Sequence, residues 1–347
     1  MQKKGNPYGL HRVIEPENVL PQPALCLDND FSKLYDNEIL CNVTTLNIDS
    51  ASFTDIKELC RNDPEKIKEE ILNIVKKYGK LKNPRTGSGG MFTGTVAALG
   101  KSLTGKIDLT PKDKIASLVS LSLTPLRIDK ITKIHIKKDQ VEIKGQGILF
   151  ESGIWVKLPG DIPETLCLAV LDVAGAPAQM DRLILPGDTV GVLGARGKSG
   201  LLSCYQAKKK AGPQGKVIGI VHSEDGIEDV KNAPFVDEVI IGSGDDPLFL
   251  LEKIESITKG ELCHKVINCV SRKNCEMGAI LITKSRGTVY FFSMATSFTK
   301  AALGAEGVGK DIELIIGNGY CEGHADLAFS IMRESRYLRN LYTKRYC

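Results

Sequence analysis

Apolar positions along the chain recur with two different periods. Between Asp63 and Gly79, the residues Ile67, Ile71, Ile74 and Val75 return at helical spacing. Asp63 stands where a cap is needed, Pro64 suits a first turn and Gly79 ends the run, so the pattern predicts a helix. Around it lie short β-rich runs at 38–46, 115–123, 131–137, 141–144 and 154–158, with a helix-like turn at 50–56 and a cluster of Gly87, Gly89 and Gly90. Short strands divided by Gly and Pro predict a compact, mostly β domain over residues 1–165. Past Pro163 the pattern changes. Apolar runs at 189–193, 216–221, 238–241, 265–270, 288–293 and 312–316 alternate with helical stretches at 199–211, 247–258, 275–284 and 322–335. Strands that are apolar throughout, alternating with helices, predict a parallel sheet covered on both faces. Six such strands make a full dinucleotide-binding sheet. The fold class read from this pattern is α/β, with a Rossmann doubly wound parallel six-stranded sheet over 166–321.

Composition sharpens this picture mainly by exclusion. With 347 residues, 42% of them apolar and 25% charged, the chain can bury two cores and is not a disordered segment. Lys and Arg number 46 against 42 Asp and Glu, a net charge of +4, and the signs are interspersed; Lys137 and Lys138, for example, are followed at once by Asp139. That balance predicts a solvated surface and no nucleic-acid partner. The ten Cys contain no CxxC pair, and Cys167 and Cys269 sit inside apolar runs as small hydrophobes. The opening MQKKGNPYGLHR has no apolar core, and no apolar run reaches about 18 residues. A cytoplasmic, reduced protein with no membrane partner is expected.

The strongest chemical motif is Gly194-Ala-Arg-Gly-Lys-Ser-Gly200, placed where the strand 189–193 ends and a helix begins. Ala195 is read as permitting the tight turn, Gly197 as admitting a pyrophosphate to the backbone, and Gly200 as letting the helix pack on the strand. Phosphates would sit against free N–H groups at the positive end of the helix. Lys198 and Ser199 belong to the same turn, and Gly197-Lys-Ser199 lacks the upstream glycine of a P-loop. At the end of the next strand, where an acid would grip a ribose hydroxyl, stand His222 and Ser223, with Glu224 and Asp225 just beyond. Arg196 is the cation in reach of a 2′-phosphate. NAD is preferred, with NADP left open. Carboxyl ends of parallel strands face the cofactor crevice, which adds Asn268, Cys269 and Val270, then Ser293 and Met294, and Asn318 after the sixth strand.

This layout resembles the medium-chain dehydrogenase/reductase superfamily over nearly the whole chain. Glu38-Ile-Leu is similar to its first core strand, Leu46-Asn-Ile-Asp-Ser-Ala-Ser to its nicotinamide-side loop, Gly89-Gly-Met-Phe-Thr-Gly-Thr-Val to its G-H-E-x-x-G segment, and Pro186-Gly-Asp-Thr-Val to the strand before the glycine turn. The segments 11–24, 47–57 and 86–96 resemble, more narrowly, the L-erythro-3,5-diaminohexanoate dehydrogenase family of anaerobic lysine fermentation. The resemblance implies a chaperonin-10-like catalytic domain, a last helix, 322–347, returning to it, and a homodimer through the edge of the Rossmann sheet at 288–294 and 312–316. It also implies a small diamino acid substrate. Where zinc-dependent members carry a Cys, a His and a third ligand, this chain has Asp49, Gly90 and the stretch 169–172. Catalytic zinc needs three protein ligands, so no metal is expected.

Without a metal, proton movement falls to side chains. Asp49, at the first ligand place, is read either as binding the substrate ammonium and acting as base, with a pKa raised by a partly dry site, or as capping the turn at 50–56. Ser50 and Ser52 add hydrogen bonds or serve the turn. Asp172, near the third place, pairs with a second ammonium or caps the following helix. His11 is read as structural, His222 as an adenosine-side contact and His324 as a helix-surface residue. The chemistry expected is oxidative deamination of 3,5-diaminohexanoate. The rivals are a zinc-independent quinone or enone reductase and a catalytically silent dinucleotide-binding protein.

Overall fold

The computed structural model describes residues 3–317 and 319–347; the Asn318 reading lies outside them. The chain divides into two compact units, Met1–Leu168 and Ala169–Cys347.

In the first unit, β1 (Val13–Glu15) and β2 (Cys26–Leu27) form a small antiparallel ribbon. The main sheet is antiparallel and six-stranded. It comprises β3 (Glu38–Asn47), β4 (Met91–Leu99), β5 (Lys114–Ser117), β6 (Leu126–His135), β7 (Gln140–Phe150) and β8 (Trp155–Lys157), in the order β6-β7-β3-β4-β5-β8. The run 141–144 is only part of a strand of 11 residues, because β7 continues through Gly145 and Gly147. A Cβ on Gly145 would stand 2.3 Å from the Arg127 carbonyl oxygen of the neighbouring strand, so a residue that looks like a terminator is a point of close backbone approach. Two helices cover the sheet, α1 (Ser50–Leu59) and α2 (Pro64–Tyr78). The second is capped by Asp63, whose carboxylate accepts from the Glu65 and Lys66 N–H groups, and ends at Gly79 with a φ of +67°. Its buried stripe of Ile67, Ile71, Ile74 and Val75 joins Ile39, Val43, Phe53 and Phe92 in one core.

Two cationic side chains, Arg12 and Lys80, are embedded among the described residues of this unit. Arg12, fully buried, meets Glu38 through Nε and Nη2, both at 2.8 Å, and donates to the Asp30 and Lys33 carbonyls. His11 Nε2 lies 2.8 Å from the same carboxylate, which supports its structural reading. Lys80, also at 0% exposure, donates from Nζ to the carbonyls of Pro21 and Ala24 at 2.6 Å and of Gln22 at 3.3 Å. A buried charge is tolerated where hydrogen bonds replace its water.

After α3 (Glu164–Leu171) and α4 (Gly175–Leu183), the second unit builds a parallel sheet. Its strands are β9 (Thr189–Leu193), β10 (Lys216–Val221), β11 (Glu238–Ile241), β12 (Cys263–Asn268), β13 (Thr283–Phe291) and β14 (Glu313–Ile316). The order β11-β10-β9-β12-β13-β14, every pair parallel, is that of a doubly wound dinucleotide-binding sheet, with its switch point between β9 and β12. The connecting helices are α5 (Lys198–Ala211), α6 (Glu228–Lys231), α7 (Pro247–Thr258), α8 (Glu276–Leu281) and α9 (Phe298–Gly307).

The last segment is two helices, α10 (His324–Glu334) and α11 (Arg336–Tyr346), broken at Ser335. Both helices group with the second unit, where α10 packs on α4 and α5. The cause is an apolar face, with Ala328, Phe329, Ile331 and Met332 all buried. His324, expected on a helix surface, is likewise buried, its ring 5.2 Å from that of Tyr320, and burial pushes its pKa down. No helix among the described residues is long and apolar enough to cross a membrane.

Candidate active site

The sheet of the second unit opens at its switch point into a chain reversal after β9. Gly194 adopts a φ of +80°, so the tight turn falls on this glycine and not on Ala195, which is buried with its N–H bonded to the Ile220 carbonyl. Gly197 caps α5 without a side-chain bond. A Cβ on Gly200 would lie 2.1 Å from the Gly194 carbonyl oxygen, so helix and turn touch backbone to backbone, as the spacing predicts. The first turn of α5 offers N–H groups with no partner within the helix, at the positive end of its dipole. Glycine cradle and free donors together fit a pyrophosphate.

Around this turn lies a cavity of ≈ 660 Å³. Gly194, Arg196 and Gly197 form its floor, His222 and Ser223 follow from β10, and Cys269 and Val270 from β12. The sequence reading named all seven of these. It missed Gly242, Ser243 and Gly244 after β11, together with Arg272, Arg345 and Tyr346. The Gly-Ser-Gly run was findable by the rule that strand ends face the crevice. Arg345 and Tyr346, far along the chain, carried no such signal.

The other proposed cofactor contacts lie behind or beside the lining. Ala195, Ser199 and Gly200 are buried in the packing of the turn. Lys198 points its amine to Asp172, 2.7 Å away, and over the Tyr346 ring. The Asn268 side chain accepts the Val270 N–H at 2.9 Å, Ser293 Oγ accepts the Ala295 N–H at 3.2 Å, and Met294 is 90% exposed. The three lining arginines all have carboxylate partners: Arg196 with Asp225 at 3.0 Å, Arg272 with Asp245 at 3.1 Å and Arg345 with Asp229 at 2.5 Å.

In the first unit, Asp49 caps α1. Its Oδ1 accepts the Ser52 N–H at 2.9 Å at the start of α1, while Oδ2, also out of solvent, has no hydrogen-bond partner among the described residues. Around Ser52 stands a hydroxyl cluster, Thr86 Oγ1 at 2.5 Å and Ser88 Oγ at 2.8 Å. Next to it, Asp55 takes Arg85 at 2.6 Å and Asn83 at 2.7 Å, and the Arg85 bond holds its carboxyl below the ordinary range. Ser50 turns away to Asp139 at 3.1 Å. The N-cap position of α4 is Ala174, with no side-chain cap bond, and the Asp172 carboxylate is engaged by Lys198. At the place of the zinc-ligating His, Gly90 has a φ of +108° and a Cβ there would stand 2.0 Å from the Asn47 carbonyl oxygen. No group of three His, Cys, Asp or Glu suited to a metal occurs among the described residues.

Comparison with known proteins gives a consistent result. A family model described as the L-erythro-3,5-diaminohexanoate dehydrogenase N-terminal domain matches residues 11–159. Two curated proteins named L-erythro-3,5-diaminohexanoate dehydrogenase are similar over the full length. One, from Acetoanaerobium sticklandii, is 56% identical over 343 residues, covering 99% of each chain. The other, from Fusobacterium nucleatum, is 52% identical over 344 residues, again 99% of each. Among solved structures, an alcohol dehydrogenase from Thermotoga maritima gives a TM-score of 0.57 at 15% identity, covering 91% of this chain and 86% of that one. A mycobacterial protein in complex with NADPH gives 0.58 at 14%, covering 86% and 81%. These two likenesses show the fold.

Proposed function

The chain belongs to the L-erythro-3,5-diaminohexanoate dehydrogenase family, and we propose from that membership that it oxidises 3,5-diaminohexanoate at the amine-bearing carbon 3. The products are 5-amino-3-oxohexanoate, ammonia and reduced nicotinamide dinucleotide. The full-length identity to two proteins of that name carries this reading.

The crevice around Gly194, Gly197 and the start of α5 would hold the dinucleotide, which when bound supplies the acceptor for a hydride. Asp49 would hold the reacting ammonium through Oδ2 and take the proton that must leave before the nitrogen lone pair can expel hydride. An unpartnered carboxylate oxygen out of solvent supports this role, since a buried acceptor without a donor is costly unless a ligand completes it. The Ser52, Thr86 and Ser88 hydroxyls are available to bind polar groups of the same substrate. Water adding to the resulting carbon–nitrogen double bond releases ammonia. We place NAD before NADP because each arginine lining the crevice is already neutralised by a carboxylate. The setting we propose is lysine breakdown in the cytoplasm. A homodimer through the edge strand β14, where Ile316 is 54% exposed, would cover that unpaired edge.

The test is absorbance of reduced cofactor with the diamino acid, with quinones and with a panel of alcohols. Turnover confined to the diamino acid, undiminished by chelator, is expected. Turnover of quinones or alcohols but not the diamino acid would overturn the reading.

A further inference from the structure

The glycine turn is braced from an unexpected quarter. From α11, the Tyr342 hydroxyl donates to the Lys198 carbonyl, and Arg345 Nη1 donates to the Arg196 carbonyl at 2.9 Å. These two carbonyls flank Gly197, the residue that caps α5. Tyr342 is fully buried, and the Arg345 guanidinium is pinned on its other side by Asp229. Arg345 and Tyr346 both line the cavity.

A carbonyl at the mouth of an anion site opposes the anion, because its oxygen carries partial negative charge. A guanidinium bonded to that oxygen offsets it and, with the Gly197 N–H already bonded to the Gly194 carbonyl at 3.0 Å, holds from both sides the peptide that leads into the first turn of α5. We propose that α11 is part of the dinucleotide site: Arg345 is a positioning residue that holds the Arg196 peptide so that the Gly197 turn faces a pyrophosphate, and Tyr346 closes the wall beside it. This rests on the reading of the crevice as the dinucleotide site. It assigns to the last helix a role in cofactor affinity that neither the glycine motif nor the strand ends disclose.

The role predicts a split between affinity and turnover. Arg345→Met in the full-length chain should weaken NADH binding, read by ligand fluorescence, and raise KM for the preferred dinucleotide about tenfold, the scale of one charge-assisted hydrogen bond. Turnover at saturating dinucleotide should stay within about twofold of the parent. Arg345→Lys should recover only part of the affinity, since it restores the charge and not the planar fork. Tyr346→Ala, at a half-buried position, provides a second variant, its melting temperature checked against the parent, and should also weaken binding. Unchanged affinity in a folded Arg345→Met protein, or a fall in turnover with KM untouched, would overturn the proposal. A parent that binds neither NADH nor NADPH would instead overturn the reading of the crevice, and this inference with it.

Discussion

Arg12 and Glu38 meet fork to fork with no solvent on either side chain, the guanidinium Nε and Nη2 each 2.8 Å from a carboxylate oxygen. The pair ties the segment before β1 to the start of β3. Tyr35 adds its N–H to the same carboxylate at 3.0 Å and His11 its ring nitrogen.

Glu38 should therefore control acid stability. Burial pushes its pKa up, but the bonds from Arg12, His11 and the Tyr35 N–H outweigh it and hold the carboxyl at about 2, against an ordinary 4.5. Between those values the unfolded chain binds the proton first, so stability present above pH 4.5 is lost as pH falls toward 2. Glu38→Gln, which leaves a buried guanidinium without its counter-charge, should cost about 3–5 kcal/mol near neutrality. Urea midpoints measured from pH 5 to pH 2 should fall less steeply for the variant than for the parent. Parallel curves would show that another carboxylate governs.

Gly200 and Gly197 should separate packing from binding. A Cβ at 200 would collide with backbone at 2.1 Å, whereas one at 197 would come no nearer than 3.3 Å to the Gly194 oxygen. Gly200→Ala should destabilise the fold by about 1–3 kcal/mol and weaken dinucleotide binding. Gly197→Ala should melt near the parent temperature while losing affinity, because its methyl group occupies the cavity. Differential scanning calorimetry with and without NADH distinguishes the two.

For Asp49, amide and methyl replacements answer different questions. Asp49→Asn keeps an oxygen to accept the Ser52 N–H and removes the charge, so turnover should fall by about 10²-fold or more with melting almost unchanged. Asp49→Ala should lose that activity and about 1 kcal/mol of stability besides, the worth of a helix cap. If Asp49→Asn turns over at the parent rate, the residue is only a cap.

Local chemistry made much of this fold readable. The strands β9, β10 and β11 fall on the predicted runs because a parallel strand covered by helices is apolar nearly throughout, here at every position after the opening Thr189, Lys216 and Glu238. The helix α2 carries its start, stripe and stop within one continuous segment. By contrast α3 and α4 lie in a stretch with too few polar residues to show a period, and α9, rich in Ala and Gly, has little stripe to see. In the site, the glycine turn was legible because its constraints act within seven residues. The pairing of Asp172 with Lys198, and the reach of Arg345 to Arg196, join positions far apart in the chain and required the fold. Of the two readings of Asp49, the structure shows the cap through Oδ1, and Oδ2 is the oxygen on which the proposed substrate role rests.

The enclosure of Lys80 gives the first unit a built-in reporter. Its amine lies out of solvent among three backbone carbonyls, and burial lowers its pKa to about 8. An amine-reactive label should modify surface lysines rapidly and reach this one only when the loop around residues 21–24 lifts away. The rate of that single modification, followed by mass spectrometry, would time the opening of the loop in the otherwise intact molecule.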